Sequence, residues 1–143
     1  MKVRITPLRE DVEIPAYQTP GSAGFDLAAS EPMTIAPKQM AMVPTGLIIA
    51  TPPGHVLIMS ARSSLYRKKG LVPANGIGVI DSDYRGATDE IKMLLLNPGD
   101  QPVNIDKGER LMQGIIVPCE QVEFEEGPVV AEVSRGGIGS TGL

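Results

Sequence analysis

Residues 91–117 read IKMLLLNPGDQPVNIDKGERLMQGIIV. Three β-compatible runs, Ile91 to Leu96, Val103 to Ile105 and Leu111 to Val117, are split by Asn97-Pro98-Gly99-Asp100 and by Asp106-Lys107-Gly108. Permissive Gly and Asx residues, joined in the first separator by a Pro that fixes φ, supply what tight reversals need. The stretch therefore predicts strand, turn, strand, turn, strand. The same punctuation extends outward. Val3 to Thr6, Phe25 to Ala28, Met40 to Val43, Gly46 to Ala50, Val56 to Ser60 and Gly78 to Ile80 read as strands upstream, and Val122 to Phe124 reads as one downstream. Pro52-Pro53-Gly54 and Glu126-Gly127-Pro128 are further reversals. Many short strands at this spacing predict an all-β fold, a sandwich or jelly-roll-like barrel.

Composition agrees with that reading. Gly 16 and Pro 13 in 143 residues exclude a helix bundle, because both break helix interiors. The glycines follow no three-residue period, which excludes a collagen-like chain. One short helix is expected over Leu65 to Lys69, capped by Ser63 or Ser64 and stopped by a left-handed Gly70. Lys68 and Lys69 then lie at the negative end of its dipole. There is no internal repeat and no interdomain linker, so residues 1–134 are expected to form one domain. From Arg135 the composition changes to Gly-Gly-Ile-Gly-Ser-Thr-Gly-Leu, which has almost nothing to fill a core, and residues 135–143 are expected to be a mobile arm. Aromatic residues are only 3% and Trp is 0, so Val, Ile, Leu and Met must supply burial at about 25 cal/mol per Å². A small all-β chain built this way leaves apolar surface exposed, and an oligomer is the expected remedy.

A net charge of -4 argues against a sequence-independent nucleic-acid binder, which carries a basic surplus to replace counterions. With Cys119 alone no intrachain disulfide exists, which suits a reducing compartment. With His55 alone, a histidine-rich metal site is excluded and a Ser-His-Asp triad is disfavoured. No apolar run is long enough for a membrane span, and no secretory core follows Met1-Lys2-Val3-Arg4. The expectation is a soluble cytoplasmic domain that contacts neither nucleic acid nor membrane.

Three stretches could carry chemistry. Residues 75–86, Asn-Gly-Ile-Gly-Val-Ile-Asp-Ser-Asp-Tyr-Arg-Gly, open on a type I′ turn signal at Asn75-Gly76 and predict a hairpin. Asp81 is either a turn aspartate or a base beside a pocket floored by that hairpin. Arg62-Ser63-Ser64 is either an ordinary cap beside a solvated arginine or an anion cradle. The Gly-rich tail is similar to a phosphate-gripping loop, although no Lys follows its glycines as in a Walker A sequence.

Five motifs stand in order: Ala23-Gly24-Phe25-Asp26-Leu27-Ala28, Arg62-Ser63-Ser64, Asn75 to Gly86, Gly108-Glu109-Arg110-Leu111-Met112-Gln113, and Arg135 to Gly142. Together they resemble the motif set of the trimeric dUTP diphosphatase (dUTPase) family across almost the whole chain. The resemblance implies a homotrimer of jelly-roll-like, β-clip subunits that hydrolyse dUTP to dUMP and pyrophosphate with Mg²⁺. It implies that Asp81 orients and deprotonates the attacking water, and that Arg62, Ser63, Ser64 and Gln113 contact the phosphates. Asp26 would lie near the water shell of a phosphate-held Mg²⁺. Asn75 and the backbone of Gly78, Val79 and Ile80 would read uracil, with Tyr84 under the sugar. Arg135, Ile138, Gly139, Ser140 and Thr141 would close over the site from another subunit.

Two rivals share the fold. A dCTP deaminase, or its bifunctional relative, would use Glu90 as its catalytic Glu, but Ser82 stands where that family usually has Pro. A non-catalytic trimeric nucleotide-binding or regulatory module is favoured by Ile138, which stands where the dUTPase tail usually has an aromatic that stacks on uracil. Arg135 also lies closer to this position than in many members, and residues 86–91 are longer than the common form. The missing stack leads to a prediction. Replacing Ile138→Phe lowers KM for dUTP, because base–aromatic stacking contributes about 1–3 kcal/mol in single-strand binding; an unchanged KM in steady-state kinetics would mean that the tail closes by other contacts.

Overall fold

A computed structural model describes residues 1–137. Its described residues are all-β with one short helix. Its strands are β1 (Arg4–Pro7), β2 (Phe25–Ala28), β3 (Met33–Ile35), β4 (Met40–Pro44), β5 (Leu47–Ala50) and β6 (His55–Ala61), followed by α1 (Leu65–Lys69). Then come β7 (Val72–Pro73), β8 (Gly78–Ile80), β9 (Lys92–Leu96), β10 (Val103–Ile105) and β11 (Arg110–Pro118). The quoted stretch therefore folds as read, with boundaries shifted by one residue, the ordinary tolerance of strand ends.

Every pairing is antiparallel. β11 is the spine of a sheet ordered β2-β11-β6-β8, and β4-β9-β7 form a second sheet. β1 with β5 and β3 with β10 make two-stranded ribbons around them. The result is the jelly-roll-like barrel expected from the many short strands. Period-two burial gives β2 and β6 one core face each. Phe25 and Leu27 of β2 are buried while Asp26 and Ala28 are only partly covered, and Leu57 and Met59 do the same for β6. They pack with Val43, Met93, Leu95, Ile105, Leu111 and Met112 in one continuous cluster.

The turn after β9 is held by a buried side chain. Asn97 donates through Nδ2 to the carbonyls of Ile35 (3.0 Å) and Gln101 (2.8 Å), and its Oδ1 accepts the Gly99 N–H (3.0 Å). This satisfies an otherwise costly buried amide and fixes where β10 begins. α1 ends as read, with Gly70 at φ 68° donating to the Tyr66 carbonyl, but Ser64 at its start makes no side-chain cap bond.

Four expectations are corrected. Val122 to Phe124 lies outside regular structure, with Phe124 94% exposed, because no strand among the described residues pairs with it. β3 and β7, which the sequence did not suggest, are present. Residues 75–86 do not form a hairpin: β7 pairs with β9, whereas β8 pairs with β6, so the segment links two sheets. Asn75-Gly76 is not a type I′ turn, which needs positive φ at both residues; Gly76 has it (73°), but Lys38 is the one non-Gly residue with positive φ among those described. After Pro118, residues 119–137 carry no strand or helix. No helix among the described residues is long and apolar enough to cross a membrane.

Candidate active site

The sheet gathers one group of site residues at the Ala61 end of β6. Antiparallel register sets Gln113 of β11 opposite Asp26 on one side and Ser60 on the other. Gln113 Nε2 donates to Ser60 Oγ (3.3 Å) and to the Ala61 carbonyl (3.2 Å). The chain then leaves β6 at Arg62, whose Nε lies 2.8 Å from Asp26 Oδ1. Arg110 Nη1 reaches the other carboxylate oxygen at 3.2 Å, and Arg62 Nη1 also donates to the Arg110 carbonyl (3.1 Å). The Asp26 side chain is only 13% exposed, so these charges attract one another with less screening than on open surface.

A bulge explains how Arg110 joins this group. The β2–β11 register shifts between Arg110 and Met112. Leu111 and Met112 are thus both buried, breaking the alternation, while Arg110 is aimed outward at Asp26. A cleft of about 260 Å³ opens beside the group, lined by Arg62, Ser64, Lys68, Lys69, Glu109 and Arg110 among others. Four cations against Glu109 give the cleft a net positive charge, and Glu109 is itself paired with Lys69 at 2.8 Å. Ser63 lies alongside, exposed. A larger cleft of about 560 Å³ flanks Asp26 and Arg110 on the other side, under residues 11–18. At its rim the hydrogen bond from Lys107 holds the Asp11 carboxyl below its ordinary range.

The second group runs from the middle of β6 toward its His55 end. Gly78 pairs with Met59, Val79 with Ile58 and Ile80 with Leu57. A Cβ on Gly78 would meet Met59 Cε at 2.8 Å and Met59 Cβ at 3.2 Å, so the β8 backbone lies close against the Met59 side chain. Carried one residue further, the register sets Asp81 level with Val56, six residues of β6 away from Arg62, which is about 20 Å at ~3.3 Å per residue. Asp81 is exposed, and its carboxylate has no hydrogen-bond or ion-pair partner among the described residues. The Tyr84 N–H closes a turn onto the Asp81 carbonyl (3.2 Å), and Tyr84 Oη donates to the Glu90 carbonyl (3.2 Å). Asn75 is exposed at the start of the same segment.

The structure thus unites Asp26, Arg62, Ser63, Ser64 and Gln113, and separately unites Gly78, Val79, Ile80, Asp81 and Tyr84. In one copy of the chain Asp81 stands away from Arg62 along β6. Arg135 is exposed and bonded to neither, and Ile138, Gly139, Ser140 and Thr141 lie outside the described residues. Sequence reasoning gave no role to Arg110, Lys68 and Lys69 in the cleft; the basic end of α1 was its only available signal. For a metal, no cluster of three His, Cys, Asp or Glu side chains occurs among the described residues. Asp26 faces two guanidiniums with both oxygens, so it fits an outer role and not that of a direct ligand.

The dUTPase family model matches residues 10–142. A deoxyuridine 5'-triphosphate nucleotidohydrolase of Hydrogenobaculum is 42% identical over 100% of this chain and 99% of its own. That of Wolinella succinogenes is 42% identical over 99% and 95%. The crystal structure of dUTPase from Streptococcus mutans superposes with TM-score 0.79 at 34% identity, covering 87% of this chain and 100% of that one. A dUTPase from phage phi11 of S. aureus, which coordinates a structural Mg(II) ion, superposes at 0.82 over 91% and 99%; at 20% identity this likeness speaks to the fold alone.

The Asp26–Arg62 pair is testable directly. A double-mutant cycle with Asp26→Asn and Arg62→Ala, read by urea unfolding, is expected to give a coupling of about 1–2 kcal/mol, between exposed and fully buried pairs. A coupling near zero would mean that the pair holds nothing in place.

Proposed function

The chain belongs to the dUTPase family and is a dUTP diphosphatase; we propose that Asp81 directs the water that attacks the α-phosphorus, and that the site is completed between copies in a homotrimer. The observation that carries this reading is the separation of the unpaired Asp81 carboxylate from the cationic cleft by most of the length of β6. A base and a phosphate cradle so far apart in one copy serve one substrate only when they come from two. Apolar side chains exposed on this chain, among them Met40, Met42, Val79, Val122 and Phe124, support association.

In this reading Arg62, Ser63, Ser64 and Gln113 hold the α- and β-phosphates. Their positive field neutralises the charge that otherwise repels an attacking oxygen, and catalysis of such transfers is chiefly positioning and electrostatics. Asp26 is the residue of this chain that would face the water shell of a triphosphate-bound magnesium, which would supply further charge neutralisation. Asp81 accepts a proton from water; an exposed carboxylate without a partner is available for that task.

Asn75 and the backbone of Gly78, Val79 and Ile80 read the uracil edge. Cytosine is rejected because mismatched donors would stay buried and unpaired. Tyr84 lies under the sugar and excludes a 2′-hydroxyl. Arg135, Ile138, Gly139, Ser140 and Thr141 close over the site from a further copy. The lone Cys119 and the acidic net charge support a cytoplasmic protein that does not bind nucleic acid.

The deaminase reading is not favoured. The Glu90 carboxylate it needs accepts the Gly46 N–H at 2.7 Å and faces Lys92, so it is occupied structurally. In a panel of dUTP, UTP, dTTP and dCTP, pyrophosphate release is expected with dUTP alone. Asp81→Asn is expected to slow it about 10²–10⁴-fold while leaving binding of a non-hydrolysable dUTP analogue largely intact. Turnover equal to the parent's would remove Asp81 from the mechanism.

A further inference from the structure

The six residues after Tyr84 make a closed return whose bonds run from the core outward. Ile91 is fully buried. Its N–H donates to the Leu47 carbonyl (2.8 Å), and its own carbonyl accepts the Thr45 Oγ1 hydroxyl (2.6 Å). Glu90, one residue before, is clamped by its carboxylate: Oε1 accepts the Gly46 N–H at 2.7 Å, and Oε2 lies 3.8 Å from Lys92 Nζ. Gly46 can present that N–H because it holds φ 68°, and a Cβ there would meet Val12 Cγ2 at 2.7 Å. The Glu90 backbone is therefore fixed to the barrel. Its carbonyl accepts the Tyr84 hydroxyl.

Between these two residues the chain closes on itself. Asp89 Oδ2 accepts the Gly86 N–H at 2.6 Å, while the Gly86 carbonyl accepts the Asp89 N–H at 3.1 Å. Glu90 N–H donates to the Thr88 carbonyl (2.9 Å). The reciprocal Gly86–Asp89 pair sets the arc of the loop, and so the distance from Tyr84 to its acceptor. A 40% exposed tyrosine gains little stability from one hydrogen bond, because water would replace it. What the bond does is restrict where the ring lies.

We propose that Asp89 and Glu90 are positioning residues for Tyr84: the closed turn and the core-anchored carbonyl hold the ring where it distinguishes deoxyribose from ribose. The inference deepens the reading of Tyr84 given above and rests on it. A ring free to rotate would open room for a 2′-hydroxyl without touching the uracil pocket or the phosphate cradle. Small displacements matter here, since discrimination by exclusion depends on contact distances.

The test compares kcat/KM for dUTP and UTP in the full-length protein. Asp89→Ala is expected to lower the dUTP-to-UTP ratio about tenfold or more, through a gain on UTP, with little change in Tm. Asp89→Asn keeps an oxygen that accepts the Gly86 N–H and is expected to retain the parent's ratio. Tyr84→Phe, which keeps the ring and removes the tether from its other end, is expected to match Asp89→Ala. Ratios equal to the parent's in Asp89→Ala and Tyr84→Phe would overturn the proposal, as would equal losses in Asp89→Asn and Asp89→Ala. A parent that fails to hydrolyse dUTP would remove the substrate reading and the tether with it. A parent that hydrolyses dUTP and rejects UTP, beside variants that reject it equally well, would remove the tether alone.

Discussion

β6 is hydrogen-bonded along both edges, to β11 on one side and β8 on the other, and this double pairing governs the rest of the molecule. Backbone groups buried in a sheet must stay paired, so neither neighbour slides without losing bonds and turning its apolar side chains outward. The register with β11 sets Gln113 against Ser60 and brings Arg62 to Asp26. The register with β8 sends Asp81 out at the other end. The separation of base and cradle is thus a property of the ladder itself. No side-chain rotation closes a gap of about 20 Å.

The cationic group is kept in shape by its own counter-charge. Arg62 and Arg110 would repel one another across the cleft, but Asp26 takes one guanidinium on each oxygen. Because β2 and β11 fix Asp26 and Arg110, the two arginines are oriented before an anion arrives, which lowers the ordering cost of binding. Lys68 and Lys69 add positive charge from the end of α1, where the helix dipole favours them. An acidic protein thereby keeps one basic concavity, and its small net charge of -4 conceals it.

Much of this was legible in the sequence because local chemistry decided it. Asn97-Pro98-Gly99-Asp100 and Gly70 announce their own geometry, and period-two burial marks Phe25 and Leu27. What was hidden depended on partners distant in sequence. β7 is two residues long and includes a proline, so only pairing with β9 makes it a strand. Asn75-Gly76 carries a strong local hairpin signal, yet the two flanking strands choose different sheets. Val122 to Phe124 has strand-like residues but finds no partner strand among the described residues. In the site, Asp26, Arg62 and Gln113 gather at one end of β6, Arg135 joins no group, and Arg110 was passed over because a bulge, invisible in composition, turns it toward Asp26. The exposed apolar surface was foreseeable from the scarcity of aromatics.

The central claim is that Asp81 of one copy works on a substrate held by Arg62 of another. Mixing Asp81→Asn with Arg62→Ala subunits, by unfolding the two variants together and refolding, tests it most directly. Each variant alone is expected to be nearly inactive on dUTP. In the mixture about a quarter of the sites pair an intact Asp81 with an intact Arg62, so activity is expected to return toward that fraction of the parent's. A mixture no more active than its two components, with subunit exchange verified, would contradict the account.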